Sequence, residues 1–328
     1  MIRFADEKDI DLIMEFMRDY VNSANLLGRN RNYFEFEYKY DDKLSFVISV
    51  TKKKIDGVLG YMPYGKINRD VMITFCKVKD PEDNTLASEL VEYLVKNVYA
   101  RIIAGIGNNA NLFSIYRNMG YEVSKYTQWY RLRKLGEYRI ASIDSSSVPK
   151  IGFKEQLRWR EIRDYSDLDE KMDLSLYTKE KYKPYKDGWY IRRHYFEHPR
   201  YNYRIFAIYN DEGRISTVFF LRVEHYNGSK AVRFVDCIGD YSLIANITSE
   251  IDIFMEREDA EYIDMYEAGL DEKMLKKAGW LMTADTENII PDSFSPFVCE
   301  NRDLFYFSSD SDVVLFKGES NQDCPCDD

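Results

Sequence analysis

Two stretches of this chain follow one plan, and any fold for it has to accommodate both. Residues 102–121 read IIAGIGNNANLFSIYRNMGY. A short apolar run breaks at Gly105 and Gly107, Asn108 or Asn109 can cap a helix, and Gly120 can end that helix in the left-handed conformation that glycine tolerates. Leu112, Ile115 and Met119 fall at helical spacing and should face a core, while Tyr116 sits one step off that stripe with a phenol to offer. Residues 263–280, IDMYEAGLDEKMLKKAGW, repeat the plan, with Gly279 and Trp280 answering Gly120 and Tyr121. Upstream the match continues. Arg31-Asn32-Tyr33-Phe34 ahead of two strands answers His194-Tyr195-Phe196 ahead of strands at 203–209 and 215–223. VMITFCKVKD answers VRFVDCIGD, which sets Cys76 against Cys237.

The order of elements gives the fold class. A first strand at 2–5 leads to a helix capped by Asp6 or Asp9 and running to Tyr20, with Ile10, Ile13, Met14 and Met17 on one face. RNYFEFEYKY reads as a second, aromatic helix. Strands at 44–50, 58–64 and 71–78 form a meander. Leu86, Leu90, Leu94 and Val98 mark a helix, and the opening stretch then supplies strand, helix and strand. A meander followed by a βαβ-like unit is α+β. The expected division is a first domain at 1–135, a connector at 136–155 containing SSSVP, a second domain at 156–318 and a polar tail at 319–328.

Charge narrows the partners. With 46 Lys and Arg against 56 Asp and Glu, the net charge is −10, which disfavours a nucleic-acid or anionic-membrane surface as main partner. The first residues carry charge too early for a secretory signal, and no apolar run spans a bilayer, so a soluble cytoplasmic protein is expected. The five cysteines lack a zinc-like double pairing, and the Cys324-x-Cys326 pair lies in an acidic tail. His194 and His198 are spaced i, i+4, but HYFEHP has no Glu where a zinc-protease helix needs one. No metal is expected.

At Asn109, Tyr116, Gly120 and Tyr121 the chain resembles the GNAT superfamily of N-acyltransferases, whose helix here begins with Asn, carries Tyr seven residues on, and ends in Gly and an aromatic. With the repeat, the resemblance implies two tandem GNAT-like domains, each a mostly antiparallel twisted sheet flanked by helices. It implies acetyl-CoA or another acyl-CoA as co-substrate and direct attack of a small amine on the thioester. Tyr116 would protonate the departing thiolate, Lys77, Val78, Thr85 and Ala87 would line the coenzyme path, and Asn109 would fix the pantetheine arm. The family's phosphate loop, Gln or Arg, two residues, Gly, one residue and then Gly or Ala, is answered by Glu82, Thr85 and Ala87, and only the last fits. Asp80, Glu82 and Asp83 would repel a diphosphate. Gly318, Gln322 and Asp323 resemble the tails of acyltransferase-like proteins from bacterial surface-polysaccharide gene sets, which implies an amino sugar, free or nucleotide-linked, as acceptor.

The second copy has Leu275 where the first has Tyr116. It offers instead Asp236 at a strand end and Glu267 before the helix, either of which can bind a hydroxyl or amine or take the proton an ammonium loses before attack. Two alternatives stand beside the acyltransferase. Tandem domains with poor phosphate loops also resemble Fem-type aminoacyl-tRNA-dependent transferases, against which the acidic charge counts. A catalytically degenerate binding or scaffold protein is the other.

Overall fold

The computed structural model describes residues 1–21, 26–66, 70–80, 84–107, 110–144, 155–172 and 177–319. The main strands, in chain order, are β1 (Ile2–Phe4), β2 (Phe46–Thr51), β3 (Lys54–Pro63), β4 (Val71–Val78), β5 (Ile103–Gly107), β6 (Glu122–Lys125), β7 (Thr127–Leu132) and β8 (Arg160–Ile162). They continue as β9 (Arg204–Tyr209), β10 (Ile215–Tyr226), β11 (Ser229–Gly239), β12 (Ala260–Ala268), β13 (Leu281–Met282), β14 (Phe305–Ser308) and β15 (Leu315–Phe316). Two sheets result, ordered β1-β2-β3-β4-β5-β14-β6 and β8-β9-β10-β11-β12-β7-β13. The two orders are the same, and in both the next-to-last strand comes from the other half of the sequence.

That exchange moves the domain boundary. Contacts divide the chain into Met1–Ser124 with Leu304–Ser311, and Lys125–Asp303 with Asp312–Glu319, rather than at residue 135. Thr127–Leu132 pairs antiparallel with β12, from Thr127↔Glu267 to Leu132↔Tyr262. Its buried Arg131 donates to the carbonyls of Ala278 and Gly279 and grips Asp252 at 2.7 Å. The alternation that marks a strand does not say which sheet takes it. The connector is also tied down where described: the Glu261 carboxylate accepts the backbone N–H groups of Arg139, Ile140 and Ala141. Of the expected tail, Glu319 is fully buried, and 320–328, with Cys324 and Cys326, lie outside the described residues.

Local signals set the first unit's helices. Asp6 and Asp9 form a capping box, Asp6 accepting from the Lys8 N–H and Asp9 from the Asp6 N–H, both at 2.8 Å. The helix Ile10–Tyr20 then buries Ile10, Ile13, Met14 and Met17, with Phe16 added. Arg31–Tyr38 is the aromatic helix, and Asn84–Val98 packs Leu90 and Leu94 on the sheet.

The helices Ala110–Asn118 and Glu272–Lys277 end alike. Tyr121 N–H donates to the Tyr116 carbonyl at 3.0 Å and Gly120 N–H to Arg117; Trp280 N–H donates to Leu275 at 3.1 Å and Gly279 N–H to Lys276. Gly120 and Gly279 sit at φ +81 and +87. Both ends are Schellman motifs, in which glycine takes the left-handed position and the next residue packs back on the helix.

Within the first sheet, Phe307 of β14 lies across Gly105 of β5, with which it pairs in register. A Cβ on Gly105 would sit 2.2 Å from the Phe307 ring and 2.9 Å from the Ile73 carbonyl oxygen, so the ring needs a glycine there. No described atom lies within 4 Å of a Cβ built on Gly107. Gly105→Ala should therefore cost about 1–3 kcal/mol in chemical denaturation, while Gly107→Ala should stay within about 0.5 kcal/mol of the parent.

Candidate functional site: two strand gaps and the groups beside them

In each sheet the fourth and fifth strands run parallel, and they separate early. β4 and β5 pair at Val71↔Ile103, Met72↔Ala104 and Ile73↔Gly105; then Thr74 forms a bulge against β3, and Phe75–Val78 keep β3 but have no register with β5. β11 and β12 pair at Lys230↔Ala260, Val232↔Ile263 and Arg233↔Asp264; then Val235 is the extra residue against β10. An extra residue bends its strand and raises the local twist, so each pair opens into a gap. Cys76 and Cys237 each stand two residues beyond the bulge, as the repeat aligned them.

Beside the first gap lies Tyr116. It is 1 % exposed, so it belongs to the core instead of standing off it, and its ring stacks on Phe307 at 3.4 Å and on Tyr121 at 6.1 Å. The Schellman turn explains this, since the residue whose carbonyl it uses is the one the following aromatic packs against. Burial foremost, with Cys76 and Tyr121 nearby, holds the phenol well above its ordinary range. It is protonated at neutral pH, a state that suits an acid and not a base. Burial pushes the Cys76 thiol up to about 12, which removes it as a nucleophile.

The other coenzyme-path residues divide. Val78 and Ala87 are buried in the core that holds Tyr116, Lys77 is half-buried and Thr85 is exposed. Asn109, Glu82 and Asp83 lie outside the described residues. Thr85 instead edges a hollow of about 800 Å³ lined by Ser49, Thr51, Asp56, Lys79, Asp80, Leu86 and Glu89. Three carboxylates against one ammonium make that hollow a poor seat for a diphosphate.

The second gap holds the other two candidates. Asp236 is 0 % exposed; both its oxygens take Lys186 Nζ, at 2.6 and 2.7 Å, and it also accepts from the Tyr195 hydroxyl and the Cys237 N–H. Lys186 reaches Glu319 as well, at 2.6 Å. Burial alone would pull the Lys186 ammonium down, but the two carboxylates outweigh it and leave its pKa raised. Lys186 and Glu319 escape sequence reading, because a loop Lys and a residue in a polar tail give no periodic signal, and Tyr195 enters it only as part of the repeat; the surrounding Tyr177, Tyr182, Tyr185 and Tyr190 are the one hint that this loop is buried.

Glu267 is 3 % exposed. Its carboxylate accepts the Trp129 indole N–H at 2.7 Å and the Leu270 N–H at 2.9 Å, and burial, outweighing both bonds, pushes it up to about 7. Opposite it on β12, burial lifts Asp264 to about 6 against Arg233 and Lys317. Asp292, also buried, is brought down to about 2 by Lys317, Arg302 and Arg233. His194 bonds the Gly318 carbonyl oxygen at 3.0 Å and stacks on Tyr190. Among the described residues no cluster of three His, Cys, Asp or Glu is placed to hold a metal ion, and no helix is long and apolar enough to cross a membrane.

No known protein family's profile matches the sequence, and no curated protein matches it. Solved structures do. A Pyrococcus horikoshii protein described as a candidate acetyltransferase aligns over 95 % of this chain and 90 % of its own, at 12 % identity and a TM-score of 0.51. An Enterococcus faecalis V583 protein of unknown function, described as a probable N-acyltransferase, aligns over 95 % and 73 % at 9 % identity and 0.57. A GCN5-related N-acetyltransferase from Anabaena variabilis ATCC 29413 aligns over 94 % and 72 % at 10 % identity and 0.56. At such identities the likeness is one of fold: mixed α+β, with open sheets flanked by helices, of the GNAT type.

The raised carboxyl of Glu267 gives a signed pH dependence. Between about 4.5, its ordinary value, and about 7, the folded protein keeps a proton that the unfolded chain has released. Stability therefore falls as pH rises through that window, by roughly 3 kcal/mol at most. Urea titrations at pH 5 and pH 8 should show this fall, and Glu267→Gln should reduce it, leaving the part of the same sign that the raised Asp264 contributes; an unchanged slope in the variant would remove Glu267 as a source.

Proposed function

We propose that the protein is an acyl-CoA-dependent N-acyltransferase whose donor occupies the first gap. One observation supports this above the rest: the two gaps are built alike, and the second receives a narrow peptide. Leu315 and Phe316 pair with Ala268 and Glu267 along the edge of β12, and Gly318 lies on the Val235 bulge. A gap of this kind thus takes a slender chain with amides in strand-like register. The pantetheine arm of coenzyme A has that shape, and in the first unit no described atom lies within 4 Å of a Cβ built on Gly107, where the arm would pass. The acidic hollow beside Thr85 does not suit the diphosphate, so affinity would come from the arm rather than the phosphates.

In this reading an uncharged amine attacks the thioester carbonyl, a C–N bond forms and the C–S bond breaks. The nitrogen gives its proton to a base, and the Tyr116 phenol protonates the thiolate. Lys77 and Thr85 flank the donor, Val78 and Ala87 form the apolar wall, and Asn109 holds the arm. Asp236 and Glu267 belong to the second unit, with their oxygens already engaged, and take no part in this step; solvent water carries the amine proton away. The acceptor is a small amine, an amino sugar or its nucleotide-linked form. The catalytically degenerate scaffold is favoured by one feature, the unsuitable hollow at the phosphate position.

Acetyl-CoA at micromolar concentration should raise the melting temperature; no shift at millimolar ligand would favour the scaffold. Tyr116→Phe should lower turnover about 100-fold, with acetyl-CoA affinity within a factor of about two. Full activity in that variant would end the acid role.

A further inference from the structure

The second gap is filled by the chain itself. Pairing with β12 is only its first fastening. Val314 N–H donates to the Lys183 carbonyl at 2.9 Å, and the Gly318 carbonyl oxygen meets His194. The Phe316 ring is fully buried in the second unit's core, against Phe234 and Tyr241. Glu319, 0 % exposed, closes the segment: its carboxylate takes Lys186 Nζ and the Phe316 N–H. At Gly318 the fit leaves no slack, since a Cβ there would lie 2.1 Å from Val235 Cγ1 and 2.5 Å from the Val235 carbonyl oxygen.

We propose that Leu315–Glu319 is the permanent occupant of the second gap, so that each chain has one acyl-donor site, in the first unit, and the second unit takes none. The number and place of donor sites rest on the acyltransferase reading above; the occupancy does not. A competing ligand would have to displace a buried aromatic ring, strand pairing and a buried ion pair together. Each of these is costly to expose. The Lys186 ammonium is the latch. It is shared between Asp236 of β11 and Glu319, so the strand and the segment that fills its gap hang on one cation.

Hydrogen exchange followed by mass spectrometry tests both halves on the full chain. In the free protein, amides of 315–318 should exchange as slowly as those of β12; exchange within seconds would overturn the occupancy. Gly318→Val, whose side chain cannot clear the Val235 carbonyl, should speed exchange of 315–319 at least about 100-fold, and unaltered exchange in that variant would also overturn it. With saturating acetyl-CoA, calorimetry should give one equivalent per chain, and new protection should fall on 75–78 and 106–107 and not on 236–239 or 315–319. Two equivalents, or protection at 315–319, would overturn the single site while leaving the acyltransferase standing. If acetyl-CoA does not bind at all, the acyltransferase and its single site fall together, and the free-protein exchange alone decides the occupancy.

Discussion

Parallel strands that stop pairing after three rungs leave two runs of backbone amides and carbonyls facing one another with nothing between them. Such groups have to be satisfied when buried. In both sheets a single extra residue, Thr74 or Val235, creates this condition. The second unit meets it with its own chain, and much of its buried polar chemistry follows. Glycine is needed at 318, His194 meets a freed carbonyl, and Lys186 is drawn inside to balance two carboxylates. In the first unit the same geometry comes with no described atom close to a Cβ on Gly107 and with a core tyrosine alongside.

Position 116 carries two demands at once. Its carbonyl and side chain belong to the helix-ending turn, as the carbonyl and side chain of Leu275 do in the other copy, and for that task a leucine is sufficient. The phenol is therefore surplus to folding. Burial keeps it protonated beside Cys76, whose thiol burial keeps protonated too. Asp236 presents the opposite case: every feature of its surroundings serves to hold one buried charge against another.

What was legible in the sequence was local. The Asp6 and Asp9 caps, the aromatic helix, the extents of β4 and of the helix to Asn118, and the two glycine stops all depend on neighbours within a few residues, and the structure has them where they were expected, while the Asn108 or Asn109 cap lies outside the described residues. The Cys76 and Cys237 equivalence held because it rides on strand alternation. The partner of a strand was not legible: Thr127–Leu132 and Phe305–Ser308 are buried along nearly their whole length without a clear alternation, and only tertiary packing sends each to its sheet. Nor was Glu319, a residue that reads as solvated tail until Lys186 is seen beside it. Tyr116 was placed one step off the core because the helix is short and the ring that covers it, Phe307, arrives from the far end of the chain.

The borrowed strands also set a schedule for synthesis. The N–H of Ile103 is bonded by the Ser309 hydroxyl, 206 positions later, and β14 closes the first sheet between β5 and β6. A ribosome that has released the first 124 residues has therefore not released a finished sheet. The edge of β5 stays exposed until Phe305–Ser308 has emerged, a long interval in which an unpaired strand is open to the wrong neighbour. The segment that fills the second gap, Leu315–Glu319, emerges later still, so both units wait on residues 305–319.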